Sequence, residues 1–433
     1  MAEDKLRNEL INQFNKEFPE SPLLEMEDNP LAEIPGWITT GNYALNWIIS
    51  KSVFRGLPLG RVVLFSGDAG SGKSMIALSM MREPSIDYIV YLDSEGGGVT
   101  SDFAKFLNID TKKVLYSEID TVEDLIARMG KVVDILEKNK TNKKILMVVD
   151  SISMLSTARE KDPNKGEDMG NKAKTTRKFF RQYIRKMQKL NICCVLTAHL
   201  TENIGGYGPT KVVSGGGTIL KFAPSVEVRF SPVNAESEVE KSARGASLIK
   251  IRAEIEKSRL GTFRKRVKFD LDMEKGLDPY AGLFDILRDY EMITPVLKDW
   301  DAQIEEKKVG KSSTGWWAFI PWKNAKLKSI YDKMIAQDLT KSGKWREKQL
   351  KEFCRDNEWF MKDVQECLQA IYEEDYEPEE EIEDEETFEA LVAEEAAIEA
   401  SVDNEASVDN EASVDGEVSE EKPKVRKSKA KTA

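Results

Sequence analysis

Apolar and polar positions follow two rhythms along this chain, and the rhythms trade places many times. Short runs that are apolar nearly throughout occur at Arg61–Ser66, Tyr88–Asp93, Ile145–Asp150, Ile192–Ala198, Val226–Phe230 and Leu248–Ala253. Runs of that length predict strands, several of them buried on both faces as in a parallel sheet covered by helices. Between them, Ser74–Met81, Val122–Lys138 and Thr175–Leu190 carry helical patterns. The alternation predicts an α/β domain over residues 37–290 with a largely parallel central sheet.

Different patterns flank this body. Leu6, Leu10, Phe14 and Phe18 recur every four residues and stripe one face of a short helix. Such a stripe needs a cover, either its own domain or a neighbouring subunit. Pro19, Pro22, Pro30 and Pro35 stand among acidic residues and mark a linker, so residues 1–36 read as helix and linker. Residues 291–372 are expected to form a small C-terminal subdomain with helices around Leu327–Gln337 and Lys348–Tyr372. Its aromatic segment contains Trp316, Trp317 and Trp322, which suit either a small core or a nucleic-acid grip. From 373 to 433 the chain is of low complexity: Ala400-Ser401-Val402-Asp403-Asn404-Glu405 recurs at 406–411 and nearly again at 412–417. A polar repeat of this kind buries too little to order itself, so a disordered tail is expected.

Charge sets the tail apart from the body. The 433 residues carry a net charge of −12. Glu373 to Glu421 holds 23 Asp and Glu with no Lys or Arg, and Lys422 to Ala433 holds six basic residues, which leaves residues 1–372 at +5. A mildly basic body with an acidic tail fits nucleic-acid binding with a self-competing segment, and fits a solubilising tail as well. No apolar run approaches the roughly 18 to 20 residues that span a bilayer, so no membrane partner is expected. The opening residues do not read as a signal peptide. Cys193, Cys194, Cys354 and Cys367 form no Cys-x-x-Cys pair and His199 is the single histidine, which disfavours structural zinc and a disulfide framework. A reducing cytoplasm is the expected compartment.

The strongest chemical signal is Gly67-Asp68-Ala69-Gly70-Ser71-Gly72-Lys73-Ser74, a complete G-x-x-x-x-G-K-S between a predicted strand and a predicted helix. Glycines allow the loop to turn its backbone N–H groups onto phosphate oxygens, and the helix N-terminus adds partial positive charge. Lys73 then reaches the β- and γ-phosphates and Ser74 ligates magnesium. Asp150 ends an apolar strand, the arrangement that holds magnesium beside such a loop. Glu95 follows another strand end, where a general base for water can sit. His199 terminates a third strand at the edge where ligands gather in open α/β sheets. A glycine-rich stretch follows it, from Asn203 to Thr218.

Further positions follow in family order: Thr40-Gly41, Gly56-Leu57-Pro58-Leu59-Gly60-Arg61, Val148-Val149-Asp150-Ser151, Met169-Gly170, Gly215-Gly216-Gly217-Thr218 and Glu256-Lys257-Ser258-Arg259. From about Ile38 to Tyr290 the chain resembles RecA-type recombinases. Gly276-Leu277-Asp278-Pro279-Tyr280-Ala281-Gly282-Leu283 resembles the phage members of the UvsX type most closely.

The resemblance implies a RecA-like P-loop ATPase core using ATP and Mg2+. It implies a helical filament on single-stranded DNA, and pairing and strand exchange with double-stranded DNA. Glu95 would be the water-activating base, Lys73 the phosphate clamp, and Ser74 and Asp150 the magnesium holders. His199 falls at the γ-phosphate sensor, Phe103 beside the adenine, and Lys257 and Arg259 at a cation pair that reaches a neighbour's γ-phosphate. Two DNA loops would lie at about Ser156–Met169 and Leu200–Ser214. Arg159, Lys161 and Lys165 belong to the first, Lys174 and Arg181 to the helix behind it, and Tyr207 and Lys211 to the second. Single-strand-binding and loader proteins are further implied partners, in the host cytoplasm if the protein is phage-encoded. A ring helicase or DNA translocase is the alternative within the fold. The short N-terminal region and the Gly56–Arg61 and Gly215–Thr218 matches weigh against it.

Overall fold

The computed structural model describes residues 2–19, 22–25, 33–161, 169–202, 211–213, 217–233, 248–262, 264–310, 315–340 and 342–374. The chain opens with α1 (Ala2–Glu17), then β1 (Trp37–Ile38), α2 (Tyr43–Ser50) and β2 (Leu57–Pro58). There follow β3 (Val62–Gly67), α3 (Lys73–Met80), β4 (Tyr88–Asp93), α4 (Ser101–Phe106), β5 (Val114–Glu118), α5 (Val122–Asn139), β6 (Ile145–Asp150), α6 (Met169–Lys189) and β7 (Ile192–Glu202). Next are β8 (Lys211–Val213), α7 (Ile219–Phe222), β9 (Val226–Pro232), β10 (Leu248–Ser258), β11 (Arg266–Asp272) and β12 (Gly276–Leu277). The remainder holds α8 (Leu283–Asp289), β13 (Ile293–Pro295), α9 (Trp300–Glu305), β14 (Trp317–Phe319), α10 (Ala325–Ala336), α11 (Leu350–Asp356) and α12 (Glu358–Glu374).

Among the described residues, one sheet runs β12-β11-β10-β9-β3-β7-β6-β4-β5, with β8 beside the end of β7. From β9 to β5 every pairing is parallel, while β10, β11 and β12 pair antiparallel. The predicted α/β fold with a largely parallel sheet is the fold observed. Its strands read as continuous apolar runs because both faces are covered. On β3, Val63 and Phe65 enter one core with α2 and α3, while Val62 and Leu64 enter the other beneath α5 and α6. On β6, Leu146 and Val148 face the first core and Met147 and Val149 the second.

The predicted boundary at 290/291 falls between α8 and β13, and the first core runs across it. Ile293, Phe319, Leu327, Trp345 and Phe360 belong to the same cluster as Trp47 and Phe65, and residues Met1–Tyr372 form one compact unit. Trp317 meets Phe284 edge-on at 4.9 Å. Trp316 and Trp322 pack against Val296, Trp300 and Ala318, so all three tryptophans serve packing. The N-terminal stripe differs: Leu6, Leu10 and Phe14 on α1 and Phe18 just after it are exposed, so none of the described residues covers it. The acidic repeats expected to lack order lie outside the described residues.

Candidate nucleotide site and nucleic-acid face

Strand register brings the candidate residues together. Gly67 on β3 lies opposite His199 on β7, and Asp93 on β4 lies opposite Asp150 on β6. Four parallel strands thus deliver these groups to one sheet edge, the C-terminal edge at which α/β folds bind ligands.

The Gly67–Ser74 loop owes its shape to its glycines. A Cβ on Gly67 would stand 2.4 Å from the Phe230 carbonyl oxygen, and one on Gly72 would stand 2.4 Å from the Leu271 side chain. Gly70 and Gly72 have φ of +74° and +84°, the left-handed region that suits glycine. No side chain caps α3 at Gly72, so its first N–H groups remain available to an anion. The buried Lys73 ammonium donates to the carbonyl oxygens of Gly67 at 3.0 Å and Asp68 at 2.8 Å. Burial pulls its pKa below the usual lysine range, against the opposing pull of Asp150, Glu95 and Asp68. A loop with open space at Gly70 and an ammonium folded back on its own carbonyls fits a polyphosphate.

Asp150 is buried and held by three hydroxyls. Ser74 Oγ donates to its Oδ1 at 3.2 Å, Thr197 Oγ1 donates to the same oxygen, and the Tyr91 hydroxyl donates to Oδ2 at 2.7 Å. Ser74 and Asp150 offer the oxygen donors that suit Mg2+ when phosphate oxygens and water complete its shell. Asp93 is buried too, and its carboxylate accepts the N–H groups of Glu95 at 2.8 Å, Gly96 at 3.0 Å and Gly98 at 3.2 Å. Burial acts to raise its pKa, but the Tyr116 hydroxyl and those amides outweigh it and hold the group below the usual carboxylate range.

Glu95 and His199 meet across the edge, with Glu95 Oε1 3.2 Å from His199 Nε2. The His199 backbone N–H donates to Ser153 Oγ at 2.9 Å, which ties the histidine to the turn after Asp150. Phe103 sits on α4, half-buried against the first core.

Lys257 and Arg259 stand elsewhere. The end of β10 lies beside the start of β9, with Lys257 opposite Glu227 and Ser258 opposite Val226. Val226 in turn flanks Val63 at the start of β3. The cation pair is therefore at the opposite edge from its own phosphate loop. Lys257 Nζ donates to the carbonyl oxygens of Lys221 at 2.7 Å and Phe222 at 2.8 Å, and Arg259 Nη2 donates to that of Phe222 at 2.8 Å. Burial, helped by Arg259, lowers the Lys257 pKa to about 8. Phe222 beside them is 65% exposed.

Of the nucleic-acid candidates, Arg159 and Lys161 lie in the exposed turns after β6, with Lys161 Nζ 2.6 Å from Asp120 Oδ2. Lys174 and Arg181 are exposed on α6. Sequence reasoning missed Arg177 and Lys178 between them, which are exposed on the same face of α6. Lys165 and Tyr207, and the side chain of Lys211, lie outside the described residues. Also missed were Tyr91, Asp93, Tyr116 and Thr197. Polar groups inside doubly buried strands need partners, and that need was the available signal for Tyr91 and Thr197.

The sequence pattern of the RecA N-terminal domain family matches residues 5–278. The chain is 25% identical over 338 residues to Protein RecA of Helicobacter pylori strain HPAG1, covering 76% of this chain and 89% of that protein. It is 25% identical over 281 residues to Protein RecA of Wolinella succinogenes, covering 64% and 75%. With Protein RecA of Paenarthrobacter aurescens it shares 25% over 288 residues, covering 65% and 78%.

Proposed function

We propose that this chain, which belongs to the RecA family, is an ATP-dependent recombinase of DNA recombination and repair that polymerises on single-stranded DNA and exchanges strands with a homologous duplex. The observation that supports the reading is the placement of two clusters of candidate residues at opposite edges of the sheet. The loop, Ser74, Asp150, Glu95 and His199 share the C-terminal edge, and Lys257 and Arg259 occupy the other. A site completed by a second copy placed head to tail links hydrolysis to assembly. The uncovered α1 stripe and the exposed Phe222 supply apolar surface for such a contact.

Bound ATP with Mg2+ would supply the anhydride to be cleaved and an ion that neutralises its charge. Lys73 and the loop amides would hold the phosphates, and Ser74 and Asp150 the ion. Glu95 would take the proton from water, and His199, paired with Glu95, would report the γ-phosphate to the glycine-rich stretch that follows β7. Phe103 is proposed to flank the adenine. Phosphates of single-stranded DNA would lie along Lys174, Arg177, Lys178 and Arg181, with Arg159, Lys161, Lys165 and Lys211 beside them. Tyr207 would stack on a base, an interaction worth ~1–3 kcal/mol that tolerates any sequence.

The 276–283 segment supports a phage recombinase of the UvsX type working in the host cytoplasm, with single-strand-binding and loader proteins as partners. Electron microscopy with ATP and single-stranded DNA tests the reading: helical filaments support it, and closed hexamers point to a ring helicase or translocase instead.

A further inference from the structure

The two carboxylates at the strand ends are held by phenols from adjacent strands. Tyr91 on β4 and Tyr116 on β5 are register partners. Their rings stack with centroids 6.0 Å apart and planes 9° from parallel. Tyr91 donates to Asp150 Oδ2 at 2.7 Å, and Tyr116 donates to Asp93 Oδ2 at 2.7 Å. Asp93 then gathers the N–H groups of Glu95, Gly96 and Gly98 around its two oxygens. Gly96 and Gly97 have φ of +76° and +77°, and a Cβ on either would meet nothing within 4 Å. The turn is therefore held by hydrogen bonds: Ser94 ties its start to the Asp150 and Ser151 carbonyls, and the Asp93 carboxylate holds the backbone from Glu95 to Gly98.

We propose that Tyr91 and Tyr116 are a pair of positioning residues for hydrolysis: Tyr91 sets Asp150 for the metal, and Tyr116, acting through Asp93, sets Glu95 for water. The inference rests on the roles given above to Asp150 and Glu95. Both phenols remain donors at neutral pH, since burial and the adjacent carboxylates raise the Tyr91 pKa and push that of Tyr116 up to about 12. Their surroundings rank them. Tyr91 is 1% exposed and Tyr116 is 42% exposed. Water can replace the Tyr116 hydroxyl at Asp93 more easily than the Tyr91 hydroxyl at Asp150, so the Tyr91 contact carries the larger effect.

The test uses the full chain with Tyr91→Phe and Tyr116→Phe, each of which keeps the ring. Two readouts are taken: the Mg2+ concentration that half-saturates binding of a fluorescent ATP analogue, and kcat and KM for ATP with single-stranded DNA. Tyr91→Phe should raise the half-saturating Mg2+ by about tenfold, the scale of one hydrogen bond to a charged group. Tyr116→Phe should lower kcat by about threefold with KM little changed, the smaller loss expected where water competes. Unchanged Mg2+ dependence in the first variant, or kcat and KM moving together with a fall in melting temperature in the second, overturns the proposal. Glu95→Gln and Asp150→Asn separate the two levels. If these remain active, the site reading itself fails; if they are inactive while both tyrosine variants match the parent, only the positioning pair fails.

Discussion

Lys257 and Arg259 cannot serve the loop of their own chain. Val226, opposite Ser258, flanks Val63, and Gly67 lies four residues further along β3. At about 3.3 Å per residue that is roughly 13 Å of strand, which four methylenes do not bridge. Alanine at either position should leave ATP binding intact and lower DNA-stimulated hydrolysis by up to ~10³-fold, the scale of a cation supplied in trans. Glu95→Gln chains keep their cations and have lost their base, so mixing them with Lys257→Ala chains should restore part of the turnover. The ammonium of Lys257, with its pKa lowered to about 8, is charged below that pH and neutral above it. Assembly-dependent ATPase should therefore fall as pH rises from about 7 to 9, and Lys257→Arg, which cannot deprotonate there, should flatten that limb. No rescue at any mixing ratio, or the same alkaline fall in Lys257→Arg, would refute action across a subunit boundary.

Three further outcomes follow from the site. Glu95→Gln alone should keep nucleotide and DNA binding while turnover drops by ~10²–10⁴-fold; near-normal phosphate release sinks its role as base. His199→Ala should still bind ATP through Lys73 and the loop yet lose the ATP-dependent rise in DNA affinity. Fluorescence anisotropy with ATP and with ADP reads this, and a difference like the parent's removes His199 as sensor. Deleting residues 375–433, beyond the end of α12, should tighten duplex DNA binding most at low salt and less as screening grows; unchanged or weaker affinity at low salt refutes competition by the tail.

The parts of the fold legible in the sequence are those where local chemistry leaves little choice. A strand covered on both faces must be apolar throughout, so β4 and β6 are bounded in the sequence as they are in the structure. A loop that wraps phosphate must be glycine at the positions where Phe230 and Leu271 crowd it. Edge elements carry weaker patterns. In β5, Leu115 and Tyr116 are exposed, and neither alternation nor a continuous apolar run marks the strand. By contrast β11 alternates Val267, Phe269 and Leu271 with polar residues, the signature of a strand covered on one face, a legible signal that sequence reasoning missed. Asp93 and Tyr116 are 23 residues apart and Tyr91 and Asp150 are 59 apart. Only the register of parallel strands brings those pairs together, and no local signal encodes it.

The sheet also accounts for how few residues the proposed link between nucleotide and assembly would need. A parallel strand has two chemically distinct ends, and β3 begins near the cation pair and finishes in the phosphate loop. Copies stacked head to tail as proposed would set the start of one sheet against the finish of the next, so a single repeated contact would complete every site except at one end. In the free chain the cations are bonded to the Lys221 and Phe222 carbonyls. Under the proposed function, docking on a neighbour would exchange these neutral acceptors for phosphate, and a charged acceptor makes the stronger bond. α7, which supplies the carbonyls, follows directly on the glycine-rich stretch after His199.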